Sequence, residues 1–242
     1  MPDRANAPDP GKLLAAQAAA ALVQEGMTVG LGSGSTAALV IRALGERVAS
    51  AGLKIIGVPT SVSTAVLAHS LRIPLRELDD VNSLDINLDG ADEIDPNFAM
   101  IKGRGGALLR EKIVVSAARL RVTVITPEKR VERLGRSAPV PVEVSANGTL
   151  YIMSRLREIA EQATLRVLAD GTPYVTDGGN RIIDCHFASI DDPLRLDAAL
   201  QVVVGVFDTG LFVGLCDLLL VGRPDRVERF ENRAPRTPAR ED

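Results

Sequence analysis

Between residues 12 and 126 the chain switches repeatedly from a short apolar run to a longer helix-forming stretch. That alternation limits its fold more than any other feature. Residues 12–24 are Ala-rich and helical in pattern, and 27–32 is a short apolar strand. A helix over 35–50, a strand over 53–59 and a helix over 63–71 follow, then a short strand over 85–88, a helix over 106–120 and a strand over 122–126. Strands separated by helices of this length pair in parallel, with helices on both faces of the sheet. Ligand sites in such sheets form beyond the carboxyl ends of the strands. Three polar motifs sit at those ends or at helix starts, at 32–36, 89–95 and 102–106, so they are expected to converge on one edge of the sheet.

After about residue 137 the rhythm changes. A strand over 140–144 is bounded by prolines, a helix covers 151–162, and 173–176 and 181–185 flank Asp-Gly-Gly-Asn at 177–180, a strong hairpin signal. A short helix over 196–202 and a strand over 203–207 complete a strand–helix–strand–strand–helix–strand order. That is the ferredoxin-like unit if 165–168 belongs with the first hairpin strand. The expected architecture is therefore α/β: a doubly wound, mostly parallel sheet domain (1–136 plus 208–242) with an inserted ferredoxin-like α+β domain (137–207). Residues 211–213 and 217–221 read as closing elements of the first domain, and 1–10 and 226–242 as solvated tails.

Composition excludes several classes of function. The formal charge of −3 lacks the basic excess of a general nucleic-acid binder, and with 3% aromatics and no Trp there is no base-stacking platform. No apolar run reaches a membrane span, and the polar, Pro-rich start lacks the apolar core of a signal peptide. Cys185 and Cys216 each lie in an apolar stretch and read as free thiols of a cytoplasmic protein, with a disulfide the less favoured alternative. Two histidines, far apart, leave little material for a Cys/His zinc site.

Glu111 is the residue that speaks most directly to chemistry. On a helix over 106–119, Ala107, Leu108, Val114, Val115 and Ala118 form one apolar arc, and Glu111 falls near its middle. A carboxylate on a buried face loses hydration and its pKa rises, which suits a base acting near neutral pH. A structural Glu paired with Arg or Lys fits the same pattern. Just before it, Lys-Gly-Arg-Gly-Gly at 102–106 reads as a loop whose backbone comes close to a ligand. Earlier still, Asp89, Asp92, Glu93 and Asp95 form an acidic cluster that suits a divalent metal, an acid/base pair or a solvated turn. Lys102, ten residues after Asp92, argues for an oxyanion stabiliser over a metal. Near the N-terminus, Gly-x-Gly-x-Gly-Ser-Thr at 30–36 follows a strand and opens a helix. Its amides, the helix dipole and the hydroxyls of Ser33, Ser35 and Thr36 fit a phosphate monoester. A plain N-capped turn is the alternative. A dinucleotide site fits less well, because Ser35 stands at the third Gly position and the next strand ends without an acid. Lys12, on the residues alone, reads as a solvated cation.

Taken together these motifs resemble one family. Gly-Ser-Gly-Ser-Thr at 32–36, Asp-Gly-Ala-Asp-Glu-Ile at 89–94 and Lys-Gly-x-Gly-Gly-Ala-x-x-x-Glu-Lys at 102–112 resemble type A ribose-5-phosphate isomerase. Pro-Val-Glu-Val at 141–144, Asp-Gly-Gly-Asn at 177–180 and Gly-Leu-Phe at 210–212 are also similar to it. The resemblance implies an aldose–ketose isomerase interconverting ribose 5-phosphate and ribulose 5-phosphate, without metal or organic cofactor, as a homodimer or homotetramer. It implies Glu111 as general base, Asp89 assisting ring opening, Asp92 beside the sugar oxygens and Lys102 near the enediolate. Ser33, Gly34, Ser35 and Thr36 would form the phosphate loop. Gly90, Ala91, Gly103, Arg104, Gly105, Lys129 and Lys12 are the further substrate-binding positions it implies. Ser33 stands where Thr is common. Arg104 stands where Gly is common, and a bulky cation there either crowds the sugar or adds a phosphate contact. A sugar-phosphate deaminase or acyl-CoA transferase on a related sheet is the rival enzyme class. A sugar-phosphate sensor is the rival binding module, but no basic DNA-reading helix pair is present at either end.

Overall fold

The computed structural model describes residues 9–81 and 83–232. In chain order the elements are α1 (Pro10–Ala21), β1 (Thr28–Leu31), α2 (Gly34–Ala51), β2 (Ile56–Pro59), α3 (Val62–Ser70), β3 (Leu84–Asp89), β4 (Glu93–Ile94), β5 (Met100–Ile101), α4 (Leu108–Ser116), β6 (Ala118–Ile125), β7 (Val140–Val144), α5 (Thr149–Leu156), β8 (Gln162–Leu165), β9 (Arg181–His186), α6 (Pro193–Gln201), β10 (Val206–Thr209), β11 (Leu211–Phe212), β12 (Leu218–Gly222) and β13 (Val227–Glu231). They fall into two compact units. One holds residues 9–90, Ala117–Glu128 and Asp217–Asn232; the other holds Ala91–Ser116 and Lys129–Cys216. The expected boundary at 137 therefore comes too late. Residues 91–116 and 129–136 group with 137–207, because β4, β5 and β11 make a small sheet of their own.

The first unit is a six-stranded sheet in the order β13-β12-β6-β3-β1-β2, parallel except for β13 at the edge. Successive strands leave β1 in opposite directions, β2 on one side and β3 on the other. The switch point of the sheet is thus the β1–β3 seam, where a crevice opens at the carboxyl ends. Ile86, Leu88, Val29 and Leu31 carry the core on one face, against buried Ala15, Ala16, Ala19 and Ala20 of α1 and Val40, Ile41 and Leu44 of α2. Asp9 caps α1 by accepting the Lys12 amide at 2.8 Å, and Pro10 supplies a preset first turn.

The second unit contains a four-stranded antiparallel sheet in the order β10-β7-β9-β8, with α5 between β7 and β8 and α6 between β9 and β10. This is the ferredoxin-like order. Val140, Val142, Val144, Ile152, Leu156, Ile183 and Leu200 form its core. No helix among the described residues is long and apolar enough to cross a membrane.

Four expectations need correction. The helix carrying Glu111 ends at Ser116, not 120, because Ala118–Leu120 pairs with β3 at the start of a central strand; that pairing overrides local helix preference. The partner of β9 is Gln162–Leu165, not 173–176. The Asp-Gly-Gly-Asn turn does form, but 166–174 folds back on itself first, with Leu168 and Tyr174 donating to the Thr172 and Arg166 carbonyls. Residues 211–212 pair with β5 in the second unit rather than closing the first. Residues 227–231, expected as tail, form β13 on the edge of the large sheet. The rest of the expected tails, 1–8 and 233–242, lies outside the described residues.

The seat of α1 is set by two glycines. A Cβ on Gly222 would lie 1.9 Å from the Gly11 carbonyl oxygen, and one on Gly11 would lie 2.6 Å from the Gly222 oxygen. Helix and strand backbones touch there, one residue before Lys12. Gly222→Ala is expected to push them apart and cost about 2 kcal/mol. The urea midpoint should fall with an unchanged slope; an unchanged midpoint would refute the close packing.

Candidate active site

At the β1–β3 seam, the Gly32 amide donates to the Leu88 carbonyl at 3.0 Å. A Cβ on Gly32 would lie 2.1 Å from Asp89 Oδ1, so only glycine lets these strand ends meet. Asp89 is 4% exposed, and its Oδ1 accepts the amides of Ser33 at 3.2 Å and Gly90 at 2.7 Å. One carboxylate thus holds the beginnings of two motifs that are 56 residues apart. The Ser33 hydroxyl, expected at an anion, lies within a cluster of hydroxyls. It is taken up by Thr60 Oγ1 (2.7 Å), Ser61 Oγ (2.9 Å) and Thr64 Oγ1 (3.3 Å). Thr64 in turn donates to the Gly32 carbonyl at 2.8 Å. These three hydroxyls were missed in the sequence, although Ser-Val-Ser-Thr at 61–64 follows a strand and opens a helix just as 32–36 does.

Helix α2 starts at Gly34, whose φ is +86°, and Ser33 makes no side-chain cap bond to it. The amides of its first turn therefore keep their partial positive charge without a capping side chain. Lys12 is brought to this turn from α1, its Nζ donating to Ser35 Oγ at 2.8 Å. Thr36 lies against Gly90: a Cβ built on Gly90 would be 3.4 Å from the Thr36 Cβ. Within the first unit, then, Lys12, Ser33, Gly34, Ser35, Thr36, Asp89 and Gly90 are gathered at one edge of the sheet.

The second unit holds the other residues. Lys102 follows β5, and its amide donates to the Gly210 carbonyl at 2.9 Å. Its Nζ lies 3.3 Å from Glu111 Oε2, with both side chains 6% exposed. Glu111 sits in the first turn of α4, on the face buried with Leu108, Val114 and Val115. The Phe212 ring, which sequence reasoning also missed, flanks the ammonium, its centroid 5.4 Å from Lys102 Nζ. Taking two charges from water costs several kcal/mol each, and an apolar pair of similar volume is often at least as stable. A buried pair is therefore not explained by stability alone.

The acidic cluster divides. Asp92 Oδ2 accepts the Arg104 amide at 3.0 Å, facing the 102–106 loop. Glu93 is fully buried and accepts the amides of Gly135 (2.7 Å) and Ala138 (2.9 Å) and the Ser137 hydroxyl (2.6 Å). Asp95 closes a tight turn through the Asn97 and Ala99 amides, each 2.9 Å away, although burial pushes its carboxyl up. Among the described residues no three His, Cys, Asp or Glu side chains are grouped to hold a metal ion. Ala91 leads into Asp92, while Gly103, Arg104 and Gly105 form the loop. Lys129 ends a 3-10 turn after β6.

The sequence matches the family described as ribose 5-phosphate isomerase A (phosphoriboisomerase A) over residues 56–226. The chain belongs to the ribose 5-phosphate isomerase A family. It is 48% identical over 218 residues to the ribose-5-phosphate isomerase A of Roseiflexus castenholzii, covering 90% of this chain and 93% of that one. A solved ribose 5-phosphate isomerase A from Methanocaldococcus jannaschii is 38% identical and covers 93% of this chain and 100% of its own, with a TM-score of 0.88. A D-ribose-5-phosphate isomerase solved in complex with phospho-erythronic acid is 39% identical, covers 91% and 97%, and has the same TM-score of 0.88.

For this family member the buried pair makes a stability prediction. Glu111→Leu alone removes one counter-charge from a buried ammonium and is expected to cost about 3 kcal/mol. The double variant Lys102→Met, Glu111→Leu should recover that loss and equal or exceed the native urea midpoint. A double variant less stable than the single one would show that the pair holds the fold.

Proposed function

We propose that this chain interconverts D-ribose 5-phosphate and D-ribulose 5-phosphate through an enediolate, with Glu111 as the general base. The observation that carries this is the desolvated Lys102–Glu111 pair, a base and a cation 3.3 Å apart beside a glycine-rich loop. The reaction belongs to the non-oxidative branch of the pentose phosphate pathway. A proton on the carbon next to the aldose carbonyl is weakly acidic, so charge must be stabilised as it leaves. Glu111 takes that proton from C2 and returns it to C1, while the Lys102 ammonium faces the negative charge that builds on the oxygens between. Asp89 assists ring opening and Asp92 meets the sugar oxygens. The first-turn amides of α2, the Ser35 and Thr36 hydroxyls and Lys12 suit a dianionic phosphate, whose binding positions the reacting carbons. The relative that binds phospho-erythronic acid supports a phosphorylated acyclic ligand. We also propose a cytoplasmic homo-oligomer of two or four chains, which would cover side chains as exposed as Val202 (79%) and Val204 (87%).

Glu111→Gln tests the base. Turnover of ribose 5-phosphate should fall by about 10²-fold or more with KM little changed. Exchange of the C2 proton with solvent should stop as well. Near-native turnover in folded Glu111→Gln would reject the assignment.

The α2 turn gives a second test. Ser35→Ala with Thr36→Val should raise KM for ribose 5-phosphate by about 10-fold or more, about 1.4 kcal/mol. Ser33→Ala should instead lower the melting temperature with a smaller effect on KM, since its hydroxyl is bonded to Thr60, Ser61 and Thr64. The opposite split would exclude this turn as the phosphate site.

A further inference from the structure

The 103–106 loop contains three glycines and has little of its own to fix it. It carries Lys102 at one end and leads into α4 and Glu111 at the other. Within it, the Gly106 amide donates to the Gly103 carbonyl at 2.9 Å. It is held mainly from outside. Arg166, just after β8, donates from Nη1 to the Gly103 carbonyl at 2.9 Å and to the Arg104 carbonyl at 3.1 Å. Its other edge is fixed by Asp184 on β9, with Nε to Oδ2 at 2.9 Å and Nη2 to Oδ1 at 2.5 Å. Only a guanidinium offers one edge to a carboxylate and another donor to two carbonyls. From the opposite side, Asp92 accepts the Arg104 amide. Both backbone groups of residue 104 are thus pinned.

Tyr174 adds to the clamp. Its hydroxyl donates to the Gly105 carbonyl at 3.3 Å, and its ring fills the space over Gly106, where a Cβ would lie 2.3 Å from the phenol oxygen. The segment after Tyr174 is fastened in turn. Buried Glu143 accepts Thr176 Oγ1 and Asn180 Nδ2, each at 2.9 Å. This gives the Pro-Val-Glu-Val and Asp-Gly-Gly-Asn motifs a common purpose. Arg166 and Asp184 do not fill a core. They lie on the wall of a cavity of about 270 Å³, together with Asp92 and Arg104.

We propose that Arg166, oriented by Asp184, is a positioning residue for the isomerisation. It holds the 103–106 backbone so that Lys102 and the start of α4 keep their reactive placement. The proposal rests on the isomerase function proposed above, so its test has one readout that is independent of turnover.

Hydrogen–deuterium exchange and steady-state kinetics are measured on the native chain and on Arg166→Met, Arg166→Lys and Arg157→Met. The last is a control, since Arg157 donates to the Ala163 carbonyl at 3.2 Å within the same unit. In Arg166→Met, exchange of the 103–108 backbone amides should speed up at least tenfold. Its kcat should fall at least twentyfold while KM changes by less than fivefold. Arg166→Lys, which keeps one donor for the carbonyls, should recover part of kcat. Arg157→Met should match the native chain in both readouts. Unchanged loop exchange in folded Arg166→Met would overturn the clamp, whatever the activity. Faster exchange with kcat within twofold of native would overturn the positioning role. Failure of the native chain to isomerise ribose 5-phosphate would instead reject the function, while the exchange data would still decide the clamp.

Discussion

A buried ammonium–carboxylate pair is a costly element to fold around, and the second unit is organised to make one possible. Lys102 leaves a strand that is paired on both sides, by β4 and β11, so its backbone is fixed before its side chain enters the interior. Phe212 on β11 then presents its ring to two ammonium groups, Lys102 at 5.4 Å and Lys112 at 5.0 Å from its centroid. A ring face attracts a cation while excluding water from it. The two lysines are assigned different counter-charges: Lys102 has Glu111, and Lys112 has Asp208 at 2.5 Å. Lys112 is thereby kept from competing for Glu111, its neighbour in sequence. The Lys102–Glu111 pair is nearly dry, a setting in which electrostatic interactions are strong.

The first unit solves a different problem, the close approach of two strand ends to the start of a helix. Its means is crowding. Alanines and glycines bring α1 onto β12, and Gly32 brings β1 against Asp89. Asp89 then spends one oxygen on two amides, which aligns the end of β3 with the start of the α2 turn. Cations arrive from outside the turn itself, through Lys12 on α1. Rigid small residues thus set the amides, and a longer side chain supplies the charge.

The parts of this arrangement visible in the sequence are those encoded locally. Glu111 on an apolar arc, glycine-rich turns after strands and a βαββαβ order each need only a window of residues to be read. The missing parts depend on pairing across distance. Ala118–Leu120 has ordinary helix-forming side chains and becomes strand because β3 pairs with it. Ser33 gives no sign in the sequence of the hydroxyls of Thr60, Ser61 and Thr64 that lie beside it. Glu93 shares a motif with Asp89 and Asp92, yet its carboxylate is consumed by amides more than forty residues later. Arg166 and Asp184 are 18 residues apart and bear no mark of the loop they serve, which is over sixty residues upstream.

Arg104 shows what the loop requires of each position. A cation stands there among glycines, and the backbone shows why a side chain fits at that position. Gly103 and Gly106 adopt φ values of +102° and +83°, a region that L side chains resist, whereas residue 104 is not among the positive-φ positions. Gly103 and Gly106 are also confined, by Leu108 and Pro141 at one and by Tyr174 at the other. Arg104 contributes its amide to Asp92 and its carbonyl to Arg166, and its side chain is exposed. The loop therefore needs glycine at two positions for conformation and space. At 104 it needs only a backbone that can be held from both sides, and any L residue with an amide hydrogen, proline excepted, supplies that.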